Sequence, residues 1–142
     1  MPLRAIAYAS EATAGLAADR VDGLVEDAAR FNRMAGVTGV LLHDGACFLQ
    51  YIEGPADGID SVYERILQAG SHGDIIELAR GRVSHRQFPY WAMRWLPVDA
   101  ALLRQLSVGD WAGFARRIGQ DQSRPTAMDL LAGVVQPLVQ PG

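Results

Sequence analysis

The 142-residue chain contains no lysine, one cysteine and no long hydrophobic run. All thirteen of its basic residues are therefore arginines, which are scattered along a chain of formal net charge −3. A nucleic-acid-binding surface is normally basic and clustered, so this composition argues against a nucleic-acid partner. Cys47 has no second cysteine for a disulfide and no companions at metal-ligand spacing, which indicates a reducing compartment and no metal site.

Signals for export and for membrane insertion are also lacking. The N-terminus shows no basic region followed by an apolar segment, and no apolar stretch reaches the length needed to span a bilayer. We therefore expect a cytoplasmic protein with no membrane partner. A chain of this length buries about two-thirds of the surface that it exposes when unfolded, so we expect one domain that needs no metal or disulfide.

The apolar pattern up to residue 98 predicts strands and helices in a recognisable order. The predicted strands are Leu3–Ser10, Val37–His43, Ala46–Glu53, Ile75–Val83 and Tyr90–Val98. The predicted helices run from about Ala17 to Met34 and from Gly54-Pro55 to Gly70. This order, β-α-β-β-α-β with one extra strand, predicts an α+β fold: a ferredoxin-like split βαβ sheet with two helices on one face.

Residues with capping or turn preferences mark the predicted boundaries. Asp19 is the expected N-cap of the first helix, and Gly36 is placed to end it. The Asp44-Gly45 pair favours a tight hairpin between the second and third strands. Pro55 is expected at the first position of the second helix, where its missing N–H costs nothing.

From Asp99 onward the apolar spacing turns helical. We expect residues 99–142 to form a helical C-terminal extension of the domain built by residues 1–98. The apolar stripes are Trp111, Phe114 and Ile118 on one helix, and Leu130, Leu131, Val134 and Leu138 on another. Both stripes need burial, so we expect one to cover the sheet face opposite the two helices and the other to contact a second subunit in a homo-oligomer.

The most informative strand is the segment Phe48-Leu-Gln-Tyr-Ile-Glu-Gly-Pro55, because it carries an amide inside an apolar pattern. Side chains alternate along a strand, so Gln50 shares its face with Phe48 and Ile52. A buried amide left without partners costs roughly 1–3 kcal/mol for each unmet group. We therefore expect a polar side chain or a bound ligand over this strand.

Three polar groups are predicted to converge above the sheet. Tyr8 and Gln50 lie on predicted strands, and Asn32 ends the buried stripe of the first helix. The two helices are expected to leave a groove between them at this point. The site would then combine a phenol with two amides inside a largely apolar cleft.

Four segments together closely resemble the BLUF family, sensors of blue light using FAD, over about residues 3 to 98. The segments are Tyr8-Ala-Ser10, Asn32 ahead of Val37-Thr-Gly-Val-Leu-Leu42, Phe48-Leu-Gln-Tyr-Ile-Glu-Gly54 and Arg86-Gln-Phe-Pro-Tyr-Trp-Ala-Met93. The resemblance implies a stand-alone photoreceptor that binds FAD, is not an enzyme and signals to a downstream partner protein.

The resemblance also implies roles at named positions. FAD would lie between the two helices, with Asn32 hydrogen-bonding its carbonyl edge and Gln50 bridging the ring to the Tyr8 hydroxyl. Tyr8 would be the photochemical electron donor. Gln50 would relay the proton and change its hydrogen bonds by rotation or tautomerisation, which in the family gives a small red shift of the flavin absorption.

Further positions are matched outside this central pair. Trp91 and Met93 match the two residues of the last strand that rearrange around Gln50, and the resemblance leaves open which of them lies near the flavin. Arg65 and His72 match positions beside the pyrimidine side and the sugar chain of the flavin. Ser10, in the N-terminal motif, is expected to contact the cofactor as well.

Two alternatives remain beside the photoreceptor. The family usually has aspartate at the position of Ala69 and arginine at that of Ser71, so this chain could be a BLUF-like domain that has lost FAD and serves as a protein-interaction module. An acylphosphatase-like hydrolase of the same fold would need an arginine in the loop after the first strand. Residues 10–18 contain one glycine and no arginine, which argues against it.

Overall fold

The computed structural model describes residues 3–12, 18–68, 72–83, 86, 88–89, 91–107 and 130–135. The strands are β1 (Leu3–Ala12), β2 (Thr38–His43), β3 (Cys47–Pro55), β4 (His72–Val83) and β5 (Arg94–Pro97). The helices are α1 (Ala18–Ala35), α2 (Ala56–Leu67) and α3 (Ala100–Ser107), and residues 130–135 are also helical.

The strands form a 5-stranded sheet in the order β4-β1-β3-β2-β5. All neighbouring strands are antiparallel except β2 and β5, which are parallel. In the β1–β3 pair Tyr8 lies directly opposite Gln50, so their side chains leave the sheet on the same face. The predicted ferredoxin-like α+β fold, with its extra strand at one edge, is confirmed.

The two faces of the sheet carry separate hydrophobic clusters, because successive side chains of a strand alternate between them. On the face covered by α1 and α2, Ile6 and Ile52 pack with Ile59 and Val62 of α2. The opposite face is covered by α3 and by residues 130–135. Its fully buried members include Leu42, Leu49, Tyr51, Leu106, Leu131 and Val135. Full burial of each such side chain contributes roughly 1.5–3 kcal/mol.

Two glycines allow the turns that the sequence predicts. Gly36 follows the end of α1 with φ of 75°, a left-handed conformation that glycine adopts without strain. Gly45 has φ of 101° in the turn between β2 and β3. In that turn Asp44 Oδ1 accepts the backbone N–H groups of Ala46 and Cys47 at 2.8 and 2.7 Å. Both predicted boundaries are confirmed.

Several predicted boundaries differ from the structure. α1 begins at Ala18, so Asp19 is its second residue and not its N-cap. Pro55 ends β3 and serves as the N-cap of α2 with an extended ψ of 151°, and the helix itself begins at Ala56. β4 begins at His72, earlier than expected, because the antiparallel pairing with β1 extends as far as Ala12.

The predicted last strand, Tyr90–Val98, is wrong in its first half. β5 pairs with β2 only from Arg94 to Pro97. The two residues Trp91 and Met93 precede β5 in an irregular segment, so the alternation rule does not apply to them. A pattern of apolar residues alone does not distinguish a strand from an irregular segment that is held by other elements.

The C-terminal stripes are described only in part. Residues 130–135 pack on the sheet face opposite α1 and α2, through Leu131 and Val135. Trp111, Phe114, Ile118 and Leu138 lie outside the described residues. The predicted contact between subunits stays a prediction.

No described helix is long and apolar enough to cross a membrane.

Candidate functional site

A cavity of about 370 Å³ lies between α1, α2 and the sheet. This volume falls in the range of about 300–1,000 Å³ that is typical of small-molecule and cofactor sites. Its walls are mostly apolar, with Leu24, Val25 and Ala28 from α1 and Leu41 from β2. Its polar lining residues are Tyr8, Asp27, Asn32, Gln50, Arg65 and Gln68. The predicted groove between the two helices is therefore present, and it contains the predicted phenol and both amides.

Tyr8, Gln50 and Met93 form a chain of contacts across the floor of the cavity. The Tyr8 hydroxyl donates a hydrogen bond to Gln50 Oε1. Gln50 Nε2 in turn donates to Met93 Sδ at 3.5 Å. All three side chains are buried. The polar partners expected over the Gln50 strand are thus Tyr8 on one side and the Met93 sulfur on the other.

The Met93 sulfur determines which way the Gln50 amide points. A thioether accepts weak hydrogen bonds and cannot donate, whereas a tyrosine hydroxyl does both. The amide nitrogen therefore faces Met93, and the amide oxygen faces Tyr8. The reversed orientation would place Oε1 against a sulfur that has no hydrogen to give.

The Tyr8 hydroxyl is held in its neutral form. Burial raises the pKa of Tyr8 well above its ordinary value of 10.0, and the neighbouring Tyr63 raises it further. The rings of these two tyrosines are tilted, with their centroids 6.1 Å apart. The guanidinium of Arg80 lies over the Tyr63 ring on its outer side. Tyr8 therefore remains a hydrogen-bond donor to Gln50 at neutral pH.

The raised pKa of Tyr8 predicts a loss of stability in alkali. In the unfolded chain the phenol ionises near pH 10, whereas in the folded chain it stays protonated, so unfolding releases a proton above that pH. The free energy of unfolding should fall by about 1.4 kcal/mol per pH unit for each such tyrosine. Burial raises the pKa values of Tyr51 and Tyr63 as well, so further tyrosines contribute to the slope.

Denaturant unfolding at about pH 9, 10, 10.5 and 11 brackets the ordinary tyrosine pKa and measures where the slope sets in. Above about pH 10.5, Tyr8→Phe should reduce the slope by up to about 1.4 kcal/mol per pH unit, because one of the titrating groups is gone. An unchanged slope in the Phe variant would mean that Tyr8 ionises in the folded protein as readily as in the unfolded one.

Asn32 joins the cavity to the segment that precedes β5. Its side chain is 1% exposed, and Nδ2 donates to the Ala92 carbonyl oxygen at 2.8 Å. A side-chain amide carries two N–H donors and one oxygen acceptor, so one N–H and Oδ1 remain for a ligand in the cavity. Asn32 thus has the groups needed to bind a ligand edge and, at the same time, holds the backbone next to Met93.

The structure separates Trp91 and Met93. Met93 lines the cavity and packs in the cluster under α1 and α2. Trp91 packs against the cluster on the opposite face, with the Arg94 guanidinium 5.1 Å from its ring centroid. The expectation that the two share a strand face is therefore wrong, because the segment between them is irregular. The residue beside Gln50 is Met93.

The other predicted cofactor contacts lie at different distances from the cavity. Arg65 lines it at its exposed side, and its guanidinium stands over the Phe31 ring, 4.8 Å from the centroid. Ser10 is buried in β1 opposite Phe48 and is not among the lining residues. His72 begins β4, and its side chain is outside the described part of the structure. The contacts of Ser10 and His72 with a cofactor stay predictions.

Sequence reasoning missed two groups next to the site. Tyr63 lies on α2, and its ring neighbours that of Tyr8. Glu53 is fully buried on the sheet face opposite Gln50. The signal for Glu53 was available, since a glutamate two residues after Tyr51 shares that tyrosine's buried strand face.

The fold and the site define a ferredoxin-like domain with a cofactor-sized cavity between its two helices. Residues 3–94 match the model of the BLUF family, described as sensors of blue-light using FAD. The match covers well over half of the chain, and the chain belongs to the BLUF family. The resemblance on which the sequence analysis rested is thereby confirmed.

Relatives of known sequence and structure agree with this assignment. The chain is 31% identical over 87 residues to photoactivated adenylate cyclase subunit beta of Euglena gracilis. The matched stretch covers 61% of this chain and 10% of that protein. It is 35% identical over 69 residues to the blue light- and temperature-regulated antirepressor BluF of Escherichia coli (strain K12), covering 49% of the chain and 17% of that protein.

Among solved structures, the dark state of BlrB, a BLUF protein, matches with a TM-score of 0.67 and 27% identity, covering 97% of this chain and 98% of that one. The chain spans about a tenth of the length of the matched cyclase subunit. The cyclase activity of that protein is therefore not transferred to this chain.

Proposed function

We propose that this protein is a blue-light photoreceptor that binds FAD in the cavity between α1 and α2. The observation that carries the proposal is the chain of contacts from Tyr8 through Gln50 to Met93 along the cavity floor. A phenol, an amide and a thioether in a row have no obvious use in a passive scaffold. They form a route along which a proton shift at Tyr8 changes the hydrogen bonds of a backbone segment.

The residues present fit a flavin. The volume of the cavity is large enough for a planar ring system, and its apolar walls match the faces of such a ring. Inside the cavity, the remaining N–H and Oδ1 of the buried Asn32 suit the alternating carbonyl and N–H groups of a flavin edge. Arg65 at the exposed side offers a positive charge to the phosphates of the cofactor tail.

When bound, the flavin supplies absorption of blue light and an excited state that accepts an electron. Tyr8 is the proposed electron donor, and its phenolic proton has an acceptor already in place at Gln50 Oε1. Gln50 would accept the Tyr8 proton at Oε1 and give up one Nε2 proton to the bound cofactor, which would leave the side chain as its imidic-acid tautomer or, once the amide re-forms, in a rotated orientation. Rotation would take the Nε2 N–H groups away from the Met93 sulfur, and tautomerisation would leave Nε2 with one hydrogen where it had two, so either change would alter the bond to that sulfur. The return of the electron and the proton restores the dark arrangement.

The change at Gln50 is proposed to reach the C-terminal helices through Met93 and the strand that follows it, β5. Met93 is followed directly by β5, and β5 leads within two residues to α3. α3 packs through Leu103 and Leu106 on the sheet face opposite the cavity. A shift of Met93 can therefore bias the position of the C-terminal helices.

The remaining features of the proposal concern the protein's context. Asn32, Arg65, His72 and Ser10 are proposed to hold the cofactor, and Trp91 to support the segment from the other face. The protein is proposed to act in the cytoplasm as a homo-oligomer that signals to a downstream partner and has no enzymatic turnover. Two relatives in the family are named as a photoactivated cyclase subunit and an antirepressor, so coupling to an effector is a property of proteins that share this domain.

The visible spectrum of the purified protein, with and without added FAD and before and after blue light, tests the proposal. We expect a yellow protein whose flavin absorption moves to slightly longer wavelength on illumination and returns in the dark. A protein that stays colourless after addition of FAD would favour the alternative of an interaction module without cofactor, for which Ala69 and Ser71 are the sequence argument.

A further inference from the structure

Glu53 is a buried carboxylate on the sheet face opposite the cavity, and the proposed photochemistry does not use it. It is 0% exposed. The Tyr51 hydroxyl donates to its Oε1 at 2.8 Å, and the Phe88 backbone N–H donates to its Oε2 at 2.6 Å. A carboxylate buried this deeply needs hydrogen bonds that offset the loss of water. One of these two bonds reaches out of the strand to the segment between β4 and β5.

The start of that segment is held by backbone and side-chain contacts to the sheet. The Arg86 guanidinium donates to Thr38 Oγ1 at 2.8 Å, to the Gly36 carbonyl oxygen at 2.7 Å and to the Glu53 carbonyl oxygen at 3.2 Å. The Phe88 ring then packs edge-on against Tyr51 with the centroids 5.4 Å apart. Glu53 thus accepts two hydrogen bonds from the segment: its backbone oxygen accepts one from Arg86, and its carboxylate accepts one from the Phe88 N–H.

The end of the segment is held on the cavity side. The Gly39 N–H donates to the Trp91 carbonyl oxygen at 3.1 Å, and Asn32 Nδ2 donates to the Ala92 carbonyl oxygen at 2.8 Å. Met93 follows and meets Gln50. Phe88 and Trp91 both pack on the face opposite the cavity, so the chain changes face between Trp91 and Met93. A displacement at Phe88 has few residues over which to be absorbed before it reaches Met93.

We propose that Glu53 is a positioning residue for the light-sensing site: by holding the Phe88 amide on one face of the sheet, its carboxylate sets where Met93 Sδ meets Gln50 Nε2 on the other. This inference rests on the proposed function, because it concerns the partner of the Gln50 amide. The two buried polar residues of β3 then serve the same site. The hydrogen bonds of Gln50 change on illumination, and Glu53 holds the segment that contains Met93, the partner of Gln50.

Glu53→Gln is the sharpest variant, since it keeps size and shape while removing the charge. A carboxamide offers one acceptor oxygen where two donors, the Tyr51 hydroxyl and the Phe88 N–H, now converge, and its bonds lose charge assistance. Tyr51→Phe is the matched control. It removes a hydrogen bond of similar length from the same carboxylate and leaves the bond to Phe88 in place.

Two measurements on the full-length protein with added FAD report the effect of each substitution. Hydrogen exchange of the Gly39 amide, which donates to Trp91, reports how firmly the segment is held. The rate of dark recovery after blue light reports the environment of Gln50. We expect Glu53→Gln to change both by about threefold or more and Tyr51→Phe by less than about twofold, since only Glu53→Gln takes the charge assistance from the bond to the Phe88 N–H.

A double-mutant cycle with Met93→Leu tests the route. If Glu53 acts through Met93, the effect of Glu53→Gln on dark recovery should largely disappear in the Met93→Leu background. An undiminished effect there, equal effects of the two variants at Glu53 and Tyr51, or an unchanged recovery rate in Glu53→Gln would each overturn the inference.

The proposed function and this inference can fail separately. A wild-type protein without any light response would contradict the proposed function, and the exchange of the Gly39 amide would still show whether Glu53 holds the segment. Should Glu53→Gln not fold, exchange of the Phe88 amide in the wild-type protein decides. We expect protection comparable to that of the β1–β3 ladder, and exchange as fast as at exposed loop amides would rule the inference out.

Discussion

Tyr8→Phe should bind flavin almost as well as the wild-type protein and lose the light-induced red shift altogether. The substitution removes one hydroxyl from a ring that is 2% exposed and keeps the packing volume nearly unchanged. What it takes away is the donor to Gln50 Oε1, together with the phenol that would give up an electron and a proton. Steady-state absorption spectra before and after blue light measure the result.

Tyr63→Phe is the matched control for this experiment. Its ring centroid is 6.1 Å from that of Tyr8, yet the residue does not line the cavity. It should therefore retain both flavin and the red shift. Gln50→Leu, which removes the proton acceptor and keeps Tyr8, should behave like Tyr8→Phe. A normal red shift in either Tyr8→Phe or Gln50→Leu would show that these residues do not carry the proton.

Asn32→Ala should weaken FAD binding by about 1–3 kcal/mol, which is the cost of leaving buried polar groups without partners. In dissociation constants this corresponds to roughly 5- to 150-fold. The effect has two sources, because Asn32 is the proposed partner of the flavin edge and also holds the Ala92 carbonyl oxygen. Titration of the apo-protein with FAD, followed by flavin fluorescence, measures the change.

Gln68→Ala is the control for Asn32→Ala. It distinguishes the loss of the proposed bond between Asn32 and the flavin edge from a general loss of polar groups around the cavity. Gln68 also lines the cavity with an amide, but it is exposed, so its removal should cost no more than about 0.5 kcal/mol. Denaturant unfolding of apo Asn32→Ala measures the contribution of the Ala92 bond by itself. If the two variants bind FAD equally well, Asn32 does not bind the flavin edge.

The order of the elements and the core of the site were predictable because both depend on local periodicity. The alternation in Phe48–Pro55 places Gln50 among apolar neighbours, and regular pairing of β1 with β3 then brings Tyr8 directly opposite. Gly36 and Gly45 adopt the positive φ angles that mark the ends of their elements. The order of the α+β elements and the strand face on which each polar side chain lies follow from these short-range rules, whereas the register that sets Tyr8 opposite Gln50 is a tertiary contact.

Where periodicity ends, the prediction ended too. Trp91 and Met93 are separated by one residue, and a strand would put both on one face. The structure puts them on opposite faces. The reason is that Gly39 and Asn32 hold the backbone of this segment by hydrogen bonds from elements far away in sequence, so that no ladder imposes alternation.

The sequence by itself determined the sheet, the two helices above it and the polar residues that meet between them, because apolar spacing and glycine conformation act over a few residues. The tertiary structure alone decided that Met93 is the partner of Gln50, that Arg65 lies over Phe31, and which segment the Glu53 carboxylate holds. These contacts join residues more than thirty positions apart, and such pairings depend on how whole elements pack, which no local pattern encodes.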